Sequence, residues 1–151
     1  MSPTENAPAI AFEGTVPILR VQDVEASIHY YVRQLGFHVN WQTQGFVSVS
    51  RGRCTIFLSQ GDQGHTGSWV WIGVGDAGAL LEEFRRTGAK IRHPPTNYPW
   101  AYEMQVEDPD GNILRCGSEP KENTPVGEWL DMNGVRWIIT RDGEWQRAGS
   151  Q

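Results

Sequence analysis

Trp69-Val70-Trp71-Ile72-Gly73-Val74-Gly75-Asp76 decides the fold, because it repeats the form of an earlier stretch, Pro17-Ile18-Leu19-Arg20-Val21-Gln22-Asp23. Both are apolar runs that end Val-x-Asp, and both lead into helical spacing that stops at glycine. Such self-similarity is the mark of a duplicated structural unit. In the first unit Val24, Ile28, Tyr31 and Leu35 form one apolar helical stripe. Asp23 is placed to cap the free amides of its first turn, and Gly36 to end it. In the second unit Ala77, Leu80, Leu81 and Phe84 make the stripe, Asp76 caps it and Gly88 ends it. Arg85 and Arg86 suit the negative end of that helix dipole.

Three strand-like runs follow each helix: 37–42, 46–50 and 54–59 in the first unit, 89–93, 101–106 and 112–117 in the second. Asp108-Pro109-Asp110-Gly111-Asn112 is a turn in which proline presets one φ and glycine supplies a positive one. The prolines of 94–99 remove backbone donors, so that segment is expected to be an irregular loop. After a polar linker, Trp129, Trp137 and Trp145 recur every eighth residue, with Asn133-Gly134 and Asp142-Gly143 between them. These dipeptides are strong hairpin signals. A three-stranded meander is expected there, too small to stand alone, with its tryptophans packed on the main body or on a partner chain. The fold class is therefore α+β. Residues 1–14 are read as a flexible leader, 15–118 as paired βαβββ modules, and 119–151 as a linker and tryptophan-bearing hairpin extension, with the chain's last residues mobile.

A chain of 151 residues can bury a core as one domain, and 38% hydrophobic with 21% charged residues is ordinary globular composition. A net charge of −5 provides no electrostatic footprint for nucleic acid. No apolar run has membrane-spanning length, and the polar start does not resemble a signal peptide, so a cytoplasmic location is expected. Cys54 and Cys116 fall in apolar strands and read as small hydrophobes, without a zinc or disulfide pattern.

Alternation sorts each strand into two faces. Leu19, Val21, Val47, Val49, Ile56 and Leu58, with Val70, Ile72, Met104, Val106, Leu114 and Cys116, should cover the helices. The opposite face carries Arg20, Phe46, Phe57, Trp69, Trp71, Glu103, Gln105 and Arg115. Aromatic walls with a few placed charges describe a small-molecule cavity lined by both units. A subunit interface has the same composition, and both readings hold if the cavity forms between subunits.

With the repeat, the Arg20-Val21-Gln22-Asp23 ending and the Asp108-Pro109-Asp110-Gly111-Asn112 turn, the chain resembles the vicinal oxygen chelate superfamily over residues 15–118. That group includes glyoxalase, extradiol dioxygenases, fosfomycin-modifying enzymes and bleomycin resistance proteins. The resemblance implies βαβββ modules curving into an open, cup-like mixed sheet, often in a homodimer that shares the cup. It also implies a divalent metal held by His, Gln or Glu side chains. The corresponding positions are Val16, Phe57, Trp69 and Arg115, none of which offers a metal a lone pair. No metal and no cofactor are therefore expected. His29, His38, His65 and His93 show no ligand spacing that would rebuild such a site.

The run Pro99-Trp100-Ala101-Tyr102-Glu103 and the missing ligands look like the bleomycin-resistance branch, whose members bind a drug without altering it. The leading expectation is metal-independent binding of a planar or cationic small molecule. Phe57, Trp69 and Trp71 would stack on it, Tyr98 and Trp100 would form the rim, Glu103 would select positive charge and Arg115 an anionic group. Glu103 has other readings: metal ligand, general base, or partner of Arg115. Two competitors stand beside the binder. One is a lyase, isomerase or dioxygenase of the superfamily with an atypical or absent metal site; the other is an interaction module working through the tryptophan tail. The identity of the ligand and the exchange of modules between subunits are not legible in the sequence.

Overall fold

The computed structural model describes residues 9–140 and 142–149. The leader expected over 1–14 lies outside the described residues as far as residue 8; residues 9–14 are exposed and form no regular element. The last two residues of the chain also lie outside the described residues.

The first module runs β1 (Ile18–Arg20), α1 (Val24–Arg33), β2 (His38–Thr43), β3 (Phe46–Arg51) and β4 (Cys54–Ser59). Its sheet has the order β1-β4-β3-β2, with β1 parallel to β4 and the other pairs antiparallel. The second module runs β5 (Trp69–Gly73), α2 (Ala77–Thr87), β6 (Lys90–Asn97), β7 (Tyr102–Glu107) and β8 (Ile113–Ser118). Its order, β5-β8-β7-β6 with β5 parallel to β8, is the same topology. Each helix is the crossover that a parallel first strand requires. A third sheet, β11-β10-β9, is the meander, built from β9 (Trp129–Leu130), β10 (Arg136–Ile139) and β11 (Trp145–Arg147).

Helix ends follow the sequence signals. Asp23 accepts from the amides of Glu25 and Ala26, and Asp76 from that of Ala79. Gly36, at φ +77°, turns the chain so that the Phe37 amide reaches the Tyr31 carbonyl at 2.9 Å. Gly88 closes α2 in the same left-handed region, at φ +82°.

The irregular loop expected over 94–99 is in part a strand. Pro94 and Pro95 lie inside β6, which extends through them to Asn97. β6 is an edge strand, and its register with β7 shifts between His93 and Thr96. A missing N–H costs nothing where no ladder partner waits for it.

The helix-side faces of both sheets fill a single core: Leu19, Val47, Ile56 and Leu58 belong to the same buried cluster as Met104, Val106, Leu114 and Cys116. The other faces of the two sheets therefore point away from each other. Within one chain the open faces of the two modules do not line one cavity together, contrary to the simplest reading of the alternation.

The junction between modules is held by the turn after β7. The Asp108 carboxylate is buried and accepts from the Tyr31 hydroxyl at 2.9 Å, from the Asn112 side-chain amide at 2.9 Å, and from the backbone amides of Asp110 and Asn112. Desolvation still raises its pKa, outweighing those four donors. Asn112 also donates to the Arg20 carbonyl and accepts from the Ser68 amide, so one turn pins β1, α1 and the start of β5. Tyr31→Phe removes one donor from this carboxylate and should lower unfolding free energy by about 2 kcal/mol, read by urea denaturation with unchanged m-value.

Candidate functional site

On the open face of the second sheet, alternation along β5 puts Trp69 and Trp71 on the same side as Glu103 of β7 and Arg115 of β8. Gly117 faces Glu103 across the ladder, and a Cβ there would meet Trp71 and Glu103 at 3.1 Å. That glycine lets the Trp71 ring lie over the sheet, with half of the residue (52%) exposed.

Glu103 is 1% exposed and Arg115 forms a fork with it, Nε to Oε2 at 2.8 Å and Nη2 to Oε1 at 3.1 Å. The Trp100 indole N–H donates to the same carboxylate. Of the readings open for Glu103, the structure shows the partner of Arg115. Tyr98 is buried, stacks on Trp100 with centroids 4.9 Å apart, and donates to the Glu128 carbonyl at 2.7 Å. Burial pushes its hydroxyl up to about 12.

The extension lies across this face. Gln105 donates to the Leu130 carbonyl at 2.8 Å, and Arg92 to the Asp131 carbonyl at 2.5 Å. Asn97 ties down the preceding linker through Lys121 and Thr124. Trp129 contacts Trp69, Tyr98 and Trp100, and carries the Arg115 guanidinium 4.8 Å above its ring. The meander thus packs on the body of its own chain, one of the two options the sequence left open.

Of the residues singled out from sequence, Trp69, Trp71, Tyr98, Trp100, Glu103 and Arg115 share this face; Phe57 does not. It sits on the open face of the first sheet, in a cluster with Phe46 and Trp41. Trp41 stacks on Phe46 with centroids 5.8 Å apart and planes 9° apart. Alternation alone misses Trp41, because the β2–β3 register shifts between Val39 and Trp41. Asn40 bonds Ser48 and Ser50 while Trp41 stacks on Phe46, so two successive side chains reach one face. Trp129 was missed as a member of the site because its hairpin reads as separate from the modules.

The positions that correspond to metal ligands are divided. Val16 and Phe57 belong to the first module, Trp69 and Arg115 to the second, and Arg115 is a cation already paired. Among the described residues no group of three His, Cys, Asp or Glu side chains is placed to hold a metal ion. This donor set does not fit a divalent metal. His93 is buried, and burial lowers its pKa; the other three histidines are exposed. A cavity of about 590 Å³ on the helix side is lined by Leu35, Phe37, Ile72, Phe84, Leu114 and Cys116. It is a gap between modules and shares none of the aromatic and charged groups above. Burial raises the Cys116 thiol to about 12, in keeping with a packing role. No helix among the described residues is long and apolar enough to cross a membrane.

Comparison with known proteins adds three findings. A model of the Glyoxalase/Bleomycin resistance protein/Dioxygenase superfamily matches residues 12–115. Curated proteins give no match. Among solved structures, a bleomycin-binding protein from bleomycin-producing Streptomyces verticillus, in complex with copper(II)-bleomycin, is 28% identical with a TM-score of 0.64, over 73% of this chain and 98% of that one. An antibiotic binding protein from Streptomyces sp. CB03234 is similar in fold at 20% identity and TM-score 0.66, over 75% of this chain and 100% of that one. So is a bleomycin resistance determinant encoded on transposon Tn5, at 21% and 0.62, over 72% and 98%.

The Glu103–Arg115 pair provides a direct test of how this face is held. Glu103→Gln leaves the guanidinium, only 27% exposed, without its counter-charge. Chemical denaturation should show a loss of about 2–3 kcal/mol, at or below the lower end of the cost of breaking a fully buried pair because water reaches Arg115.

Proposed function

We propose the following reading for this chain, which belongs to the Glyoxalase/Bleomycin resistance protein/Dioxygenase superfamily: it binds a planar or cationic small molecule without a metal and without altering it. The observation that carries the reading is the chemistry of the two open faces. The first presents Trp41, Phe46 and Phe57, the second Trp69, Trp71 and Trp100 beside the Glu103–Arg115 pair, and the positions that correspond to metal ligands carry Val16, Phe57, Trp69 and Arg115. Aromatic walls bind flat molecules by stacking and cations by their ring faces. The likeness to a bleomycin-binding protein at 28% identity supports the same reading.

The two faces point outward from one core, so a groove with both as walls needs two chains. We infer a homodimer in which the Trp41, Phe46 and Phe57 cluster of one copy faces Trp71 and the tryptophan-covered sheet of the other. Phe57 and Trp71 then line one groove, although they lie on different sheets of each chain. Such a groove has the aromatic composition of a ligand pocket and of an interface at once.

Elemental mass spectrometry on untagged protein purified without chelator should find no stoichiometric metal. Fluorescence titration with bleomycin and with acridine orange, a planar cation, should give saturable quenching that EDTA does not change. Phe57→Ala and Trp71→Ala should each weaken binding about tenfold, or roughly 1.4 kcal/mol. Sedimentation should give twice the chain mass. One metal per chain, or turnover of a bound compound, would replace this reading with that of a superfamily enzyme.

A further inference from the structure

The meander carries a feature that is complete within one chain and does not depend on the groove. Trp100, Arg115, Trp129, Asp131, Trp137 and Trp145 surround a shallow cavity of about 460 Å³. The three meander tryptophans share one side of their sheet: Trp137 pairs with Trp129, and Trp145 pairs with Ile139, two residues on from Trp137. Trp100 and Trp145 remain 42% and 41% exposed.

The angles between the rings select the kind of guest. Trp100 meets Trp129 at 73° and Trp145 at 50°, each pair with centroids 6.0 Å apart. These planes form a corner, not a slot between parallel faces. A flat ring needs parallel walls; a compact, rounded cation is served by faces that converge on it, each offering the negative side of its quadrupole. The chain itself already uses one of these surfaces that way, with Arg115 over Trp129.

The charges agree. Arg115 is offset by its fork with Glu103. Asp131 accepts from the Trp137 indole at 2.8 Å and from the amides of Asn133 and Val135 at 2.9 and 2.8 Å. The hydrogen bond from Trp137 is the main reason its pKa lies below the usual range, so the carboxylate is charged at neutral pH. With most of its lone pairs occupied, it offers negative charge more than it offers hydrogen-bond acceptance. That suits a cation with no N–H to donate.

We propose that the tryptophan corner of the C-terminal meander is a binding site for a methylated ammonium group. This goes beyond the groove reading: the site is built within one chain and requires neither Phe57 nor a second copy. A quaternary ammonium reaches it on a small solute or on a choline lipid headgroup, and the two sources are separable.

The test is titration of the full-length protein with choline and with 3,3-dimethyl-1-butanol, its uncharged isostere, followed through indole N–H signals in NMR. Choline should shift the Trp129, Trp137 and Trp145 signals and bind at least tenfold more tightly than the isostere. Trp145→Ala, at an exposed edge position, should abolish the difference. Asp131→Asn, which removes the charge and keeps an oxygen for the Asn133 and Val135 amides of the turn, should weaken choline severalfold but not the isostere. Phe57→Ala should leave choline binding intact, so loss of the groove and loss of this site are told apart. Cosedimentation with phosphatidylcholine vesicles, competed by choline, would assign the source as lipid; choline binding without cosedimentation would assign it as solute. Equal binding of choline and the isostere, or full choline binding by Trp145→Ala, would overturn the proposal.

Discussion

A carboxylate that water cannot reach organises this molecule. Asp108 gathers four donors from α1 and from its own turn, and the Asn112 beside it reaches β1 and the segment before β5. Two modules that share no continuous sheet are thereby fixed helix-side to helix-side. Hydrophobic burial drives that contact but does not choose its geometry; directional bonds to a buried charge do. Tyr30 extends the clamp, donating to the Glu107 carbonyl and accepting from the Lys90 amide.

That clamp decides which faces of the sheets are left open. Once the helices lie inward, both aromatic faces are turned out, and neither can be a closed pocket within one chain. The first face is left bare, with Trp41 stacked on Phe46 beside Phe57. The second is roofed by the chain's own extension, so the two walls of the inferred groove are not alike: one is bare sheet, the other sheet overlaid by a hairpin.

The duplication, both helix caps and the inward apolar sets were legible because each depends on residues close in sequence. Asp23 and Asp76 cap, Gly36 and Gly88 terminate, and Val47, Ile56 and Leu114 point inward, all from local rules. What failed depended on partners. Pro94 and Pro95 join a strand because β6 has an open edge, which no local pattern reveals. Trp41 reaches the open face because a register shift breaks the alternation. The separation of Phe57 from Trp69 depends on how two modules meet, and the identical periodicity of both modules carries no information about that.

The extension is attached chiefly through its main chain. Arg92 and Gln105 grip the carbonyls of Leu130 and Asp131, Tyr98 grips that of Glu128, and Asn97 those of Lys121 and Thr124. A carbonyl is present whatever side chain its residue bears. Mutation can therefore rewrite the residues displayed by this hairpin with little effect on its anchorage. The core sets the architecture under tight constraint, while the appended strands form a surface whose side chains can change with its main-chain anchorage kept.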